Sequence, residues 1–71
     1  MAGIANYVRH DPRGVTVQVI TGPCNAVGEL RNVYLRADGL AAVTFEQWDW
    51  RNDRATVEIE NSSGHAWARA A

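Results

Sequence analysis

The segment Phe45-Glu46-Gln47-Trp48-Asp49-Trp50-Arg51 places two of the chain's three tryptophans two residues apart, just before Asn52-Asp53. Side chains two residues apart on a β-strand lie on the same face, so the two indoles share one environment if this segment is a strand. Asn and Asp tolerate the positive φ values of tight turns. The segment therefore predicts a strand that ends in a turn, and the fold depends on whether its indoles face the core or a partner.

The strand after the turn favours the core. Residues 55–60 alternate between apolar and polar side chains, which is the period of a half-buried strand. A two-residue turn at Asn52-Asp53 pairs Trp50 with Ala55 and Trp48 with Val57. Residues paired across two strands share a face, so we expect both indoles to point inward.

Continuing this pairing upstream produces a conflict of register. Residues 40–45 place Val43 and Phe45 inward, at odd positions, whereas the tryptophan strand places Trp48 and Trp50 inward, at even positions. One extra residue resolves the conflict, because a β-bulge changes which face the following side chains occupy. We therefore predict a bulge at Glu46-Gln47, a feature typical of small sheets that curl.

Other segments also have strand-like patterns. Residues 14–21 contain Val15, Val17 and Val19 in alternation with polar residues and form the clearest predicted strand. Gly22 and the proline that follows end it, and a loop of about six residues is expected next. Residues 30–36 and 40–45 are predicted to pair as a hairpin through a three-residue loop, residues 37–39, because that register places apolar residues opposite one another.

The two ends of the chain are less regular, and they leave the architecture partly open. Residues 4–10 fit either a short helix or an irregular strand, and residues 65–69 fit a short closing strand or a helical turn. We expect one domain over residues 1–71, all-β or β with a short N-terminal helix. Its architecture is predicted to be a small curled antiparallel sheet or barrel of four or five strands. SH3-like and Sm-like barrels are similar in size and strand order, but their sequence motifs are absent here.

Composition narrows the class of protein. The chain has 71 residues, of which 46% are hydrophobic and 21% charged, with a net charge of −1, so it is expected to fold and has no strongly basic character for binding polyanions. A single core of this size is only marginally stabilising, and we expect a homo-oligomer. The first six residues lack the basic region and apolar run of a signal peptide, and the sequence contains no apolar run of about 20 residues. The expected location is the cytoplasm, without membrane contact.

Three groups of residues are candidates for binding a partner. Arg51 and Arg54 flank the Asn52-Asp53 turn, where two guanidinium groups could bind a phosphate or a carboxylate. Tyr34, Arg36 and Leu40 are predicted to form an outward cluster of the composition found in interface hot spots. Trp67 is a candidate subunit contact on a terminal strand. For each group the alternative is structural. The two arginines would then lie at a solvated turn, and the Tyr34 cluster would be no more than scattered exposed residues. Trp67 would cover an open end of the core.

Catalytic and metal sites have weaker support. Cys24, His10 and His65 are the residue types of a thiol enzyme, but no base or oxyanion site has a recognisable spacing. Two histidines are too few for a zinc site, and the dispersed glycines form no phosphate-binding loop. We expect no metal and no cofactor.

The sequence therefore predicts a non-enzymatic protein-interaction module that binds an unidentified protein partner. An inhibitor or adaptor encoded by a phage or mobile element would have this short, cofactor-free character. The alternative is a small β-barrel that binds RNA or single-stranded DNA through arginines and one exposed aromatic ring. A small enzyme built on Cys24 and a histidine is the third hypothesis.

Overall fold

The computed structural model of the protein describes residues 3–37 and 41–61. Within these residues the chain forms two hairpins separated by a helix. The elements are β1 (Ala5–His10), β2 (Thr16–Gly22), α1 (Cys24–Ala37), β3 (Ala42–Asp49) and β4 (Arg54–Asn61).

The four strands form one antiparallel sheet in the order β1-β2-β4-β3. Strands β2 and β3 therefore run parallel to each other with β4 between them, and α1 is the crossover that parallel strands require. The prediction of a mostly β protein with one small antiparallel sheet of four or five strands is confirmed. Among the described residues the sheet is open rather than closed as a barrel. The N-terminal segment is a strand, and the short helix lies in the middle of the chain.

The predicted strand over residues 30–36 is wrong, because this segment belongs to α1. Cys24, Val27, Leu30 and Tyr34 recur every three or four residues, the period of a helix with one buried face. The loop expected after Pro23 is the first turn of that helix, whose Val27 amide donates to the Pro23 carbonyl oxygen over 2.9 Å. The hairpin across residues 37–39 therefore does not form, and residues 38–40 lie outside the described residues.

The hydrophobic core lies between α1 and one face of the sheet, here called the helix face. Every side chain at its centre is almost completely removed from water. The helix contributes Cys24, Val27 and Tyr34, and the sheet contributes Ile20, Ala55, Val57 and Ile59. Burial of this kind is the main stabilising term in a small domain.

No second layer of described residues covers the opposite face of the sheet, here called the open face, yet Val17 and Val19 on it are each only 2% exposed. The pairing explains this burial. Arg9 pairs with Val17 and Glu58 with Val19, so the 3.1 Å ion pair from Arg9 to Glu58 crosses β2 above both valines. Long charged side chains cover apolar surface with their methylene groups. β2 is thus buried on both faces, not half-buried as its alternating sequence predicts.

Gly22 and Gly28 allow a matched test of this packing. A Cβ atom at Gly22 would lie 2.5 Å from Ile4 Cδ1 and 3.1 Å from the Gly3 carbonyl oxygen, so we expect Gly22→Ala to lower the free energy of unfolding by about 1–3 kcal/mol. A Cβ at Gly28 meets only Trp48, at 3.7 Å, and Gly28→Ala should raise it by up to about 1 kcal/mol through helix propensity. Urea unfolding followed by circular dichroism measures both, and effects of the same sign would contradict the packing described.

Candidate functional site

The β3–β4 hairpin differs in register from the sequence prediction by two residues. Trp48 pairs with Ala55 and Asp49 with Arg54, so residues 50–53, here called the hairpin tip, form a longer turn than the predicted two-residue one. A bulge is present, but between Val43 and Phe45 rather than at Glu46-Gln47. The sequence therefore predicts a bulge in this strand correctly but places it too far along the chain.

This register gives different environments to the two indoles, both of which the sequence placed in the core. Trp48 is half-buried on the helix face, and its ring edge lies over Gly28 of α1. Trp50 is not in the strand: it begins the hairpin tip and is 73% exposed, the largest exposure among the described large hydrophobic residues. Its ring stacks on that of Trp48, with centroids 5.2 Å apart and planes 12° from parallel. The prediction that Trp50 faces the core is wrong.

The hairpin tip is held in shape by two carboxylates. The Asp49 side chain accepts hydrogen bonds from the Asn52 backbone amide at 3.2 Å and from the Asn52 side-chain amide at 2.7 Å. These bonds lower the pKa of Asp49. Asp53 has a φ of 52°, in the left-handed region, and its Oδ1 accepts from the Cys24 amide at 3.1 Å. Asp53 thus caps the start of α1 from outside the helix, in the way that an N-cap residue does.

The two arginines predicted to flank a tight turn are both exposed, but they do not face each other. Arg51 lies within the hairpin tip, whereas Arg54 begins β4 opposite Asp49. The longer turn is the reason, because it moves the pairing partner of Arg54 from Arg51 to Asp49. A shallow groove of about 200 Å³ lies beside Arg54, lined also by Gln47, Asp49, Ala55 and Thr56. The structure therefore brings Trp50, two arginines and a shallow groove to one end of the sheet.

The predicted cluster of Tyr34, Arg36 and Leu40 is not supported as an outward patch. Tyr34 is only 4% exposed because it lies on the buried face of α1, and its hydroxyl accepts from the Asn6 side chain at 2.9 Å. Arg36 is exposed in the last turn of the helix. Leu40 and Trp67 lie outside the described residues.

The cysteine–histidine hypothesis does not fit the positions of Cys24 and His10. His10 pairs with Thr16 at one end of β2, whereas Cys24 follows Gly22 at the other end, a separation of roughly 20 Å at the rise of a strand. Cys24 is 2% exposed, and its Sγ lies 3.4 Å from the carbonyl oxygen of Arg54. Burial, and then the carboxylates of Asp53 and Asp49, raise the pKa of the thiol. His65 lies outside the described residues.

The described residues provide neither a metal-binding cluster nor a helix that could span a membrane. Residues 3–37 and 41–61 contain no cluster of three His, Cys, Asp or Glu side chains placed to hold a metal ion. No helix among them is long and apolar enough to cross a membrane.

Known proteins add no assignment to this geometry. No protein-family model matches the chain, and no curated protein and no solved structure matches it. The candidate site therefore rests on its own residues. The sequence does not predict the exposure of Trp50, because the spacing between Trp48 and Trp50 is that of two residues on one face of a strand.

Asp53 provides a test of the link between the hairpin tip and the helix. Asp53→Ala removes the cap and leaves a side chain that disfavours positive φ, so we expect it to lower the free energy of unfolding by about 1–2 kcal/mol. Asp53→Asn keeps both an acceptor oxygen and tolerance of positive φ, and should stay within about 0.5 kcal/mol of the wild type. Chemical denaturation measures both variants, and equal losses would show that the cap does not stabilise the fold.

Cys24 provides a test of the buried thiol. Because its pKa is raised, the thiolate fraction should be small at pH 8 and should increase only at a pH above the range of ordinary thiols. We expect alkylation by iodoacetamide at pH 8 to be at least about tenfold slower in the folded protein than in urea. Asp53→Asn removes one of the charges that raise the pKa and should move the pH midpoint downward. A rate in the native protein equal to that in urea would contradict the burial of this thiol.

Proposed function

We propose that this protein is a non-enzymatic protein-interaction module whose hairpin tip binds a partner protein. Trp50 enters an apolar pocket of the partner, and Arg51 and Arg54 bond to acidic groups around that pocket. The observation that carries the proposal is the 73% exposure of an indole on a turn whose shape is fixed by hydrogen bonds. An inhibitor or adaptor would use such a surface.

The energetics of the hairpin tip support binding. An exposed indole forgoes the stabilisation of on the order of 2–3 kcal/mol that burial would give it, which a domain of this size needs. Because Trp48 supports one face of the Trp50 ring and Asp49 holds the turn, little further ordering is required on association. Trp and Arg are the residues most enriched in interface hot spots.

Charge favours a protein partner over a nucleic acid. The carboxylates of Asp49 and Asp53 lie in and beside the hairpin tip with Arg51 and Arg54, so the local charge is mixed. The whole chain has a net charge of −1, whereas proteins that bind phosphate backbones concentrate positive charge. A mixed surface with a central aromatic ring fits a protein interface.

The state of Cys24 supports a non-enzymatic role in a reducing compartment. Its thiol is buried and its pKa is raised, whereas reactive cysteines are accessible and have lowered pKa values. An unpaired thiol is also the usual form of cysteine in the cytoplasm, which is the compartment we propose.

Affinity capture with matched variants tests the proposed site. Wild-type protein, Trp50→Ala and Val33→Ala are immobilised separately and exposed to nuclease-treated lysate of the source organism. Val33 is an exposed apolar residue on α1, away from the hairpin tip, and serves as the control. We expect a protein retained by the wild type and Val33→Ala to bind Trp50→Ala about 30-fold more weakly, as loss of a hot spot predicts.

Two outcomes would contradict the proposal. If Trp50→Ala retains every protein that Val33→Ala retains, the hairpin tip is not the binding site. If the wild type instead binds single-stranded RNA or DNA with an affinity that falls steeply as salt rises, the nucleic-acid alternative is correct, because release of counterions produces that dependence.

A further inference from the structure

The two edges of the sheet differ in how well they are protected against pairing with another strand. β3 has a bulge between Val43 and Phe45 and carries Glu46 and Asp49, and bulges and charges are the usual means of blocking edge pairing. β1 pairs with β2 without interruption from Ala5 to His10. Its single arginine, Arg9, is directed across the sheet to Glu58. Among residues 3–37 and 41–61 no further strand pairs with the outer edge of β1, so this part of the chain leaves the edge regular and weakly protected.

The hairpin between β1 and β2 shows which backbone groups of β1 point outward. The Asp11 amide donates to the Val15 carbonyl oxygen over 3.1 Å. Asp11 and Val15 therefore form a hydrogen-bonded pair of the antiparallel ladder. Hydrogen-bonded and non-bonded pairs alternate along antiparallel strands. The odd residues of β1 thus bond to β2, and the amide and carbonyl groups of Asn6, Val8 and His10 point away from the sheet.

We propose that a second copy of this chain pairs with this edge, β1 against β1, to form a symmetric dimer with one continuous sheet. A twofold axis perpendicular to the sheet makes the helix face of one copy continuous with the helix face of the other. Even-numbered residues of β1 must therefore pair with even-numbered residues, and odd-numbered with odd-numbered. A register centred on Val8 uses all three outward positions: Val8 pairs with Val8 of the second copy, and Asn6 with its His10. Each of these pairs exchanges both of its backbone hydrogen bonds.

The side chains of β1 are complementary in this register. Tyr7 and Val8 are 53% and 47% exposed on opposite faces of the edge, and pairing covers both. Tyr7 lies directly opposite Arg9 of the second copy, where its ring can pack against the methylene groups of that side chain. The two Arg9 side chains do not face each other, and each remains bonded to its own Glu58. This register therefore covers exposed apolar surface without placing like charges opposite one another.

The test is the oligomeric state of the full chain by sedimentation equilibrium, for the wild type and for Val8→Pro. The Val8 amide points away from the sheet, so proline at this position removes a hydrogen-bond donor that only the dimer uses. Proline is also tolerated at a sheet edge. We expect a wild-type dimer and a roughly ten- to hundred-fold weaker association of Val8→Pro, since two hydrogen bonds are lost. A monomeric wild type, or a Val8→Pro that dimerises as well as the wild type, would overturn the proposal.

A charge pair tests the register and does not depend on the fold tolerating proline. Val8→Lys and Val8→Asp each place like charges directly opposite one another and should be monomeric when alone, whereas an equimolar mixture should form a heterodimer. A mixture that remains monomeric would reject pairing of Val8 with Val8. Val33→Lys, on the exposed face of α1, is the control and should leave the dimer intact. Trp50→Ala should also remain dimeric, so failure of this proposal and failure of the proposed function are distinguishable.

Discussion

One helix lies on one face of a four-stranded sheet, and the rest of the structure follows from this single contact. The helix covers the centre of the sheet, where β2 and β4 pair, and buries Ile20, Val57 and Ile59. The other face receives no second layer from the described part of the chain, and its central valines are covered by the ion pair from Arg9 to Glu58 instead. Among the described residues, the outer edge of β1 and the hairpin tip remain uncovered. Those are the places where we propose binding.

The start of the helix connects this packing to the hairpin tip. Asp53 adopts a left-handed backbone conformation and accepts a hydrogen bond from the first amide of α1, at Cys24. This bond satisfies a helix terminus that lacks an intrahelical partner, and it also fixes the end of the turn that presents Trp50. The same residue therefore stabilises the core and orders the candidate binding site. Such shared support makes an exposed indole rigid, which lowers the entropic cost of binding.

The sequence predicts the parts of this fold that depend on local pattern. The alternation around Val17 predicts β2, and the pairing of β3 with β4 predicts the inward position of Trp48. The helix was missed because Val33 and Leu35 also satisfy a period of two, so residues 30–36 fit a strand as well as a helix. The length of the turn was missed because it depends on a tertiary hydrogen bond from Cys24 to Asp53. The exposure of Trp50 follows from that turn, so it could not be predicted from local pattern.

The two proposed surfaces lie on opposite sides of the molecule. β1 is one edge of the sheet, whereas the hairpin tip follows β3, the other edge. In a dimer paired through β1, three strands separate each β3 from the central axis, so the two β3 strands are about 34 Å apart at the usual spacing of paired strands. The two tips project from opposite ends of the joined sheet, with both helices on the same face. Because the tips are also displaced in opposite directions along the strands, they lie farther apart than the β3 strands. Such a dimer is bivalent, and a partner with two matching sites would bind far more tightly than a single hairpin tip allows.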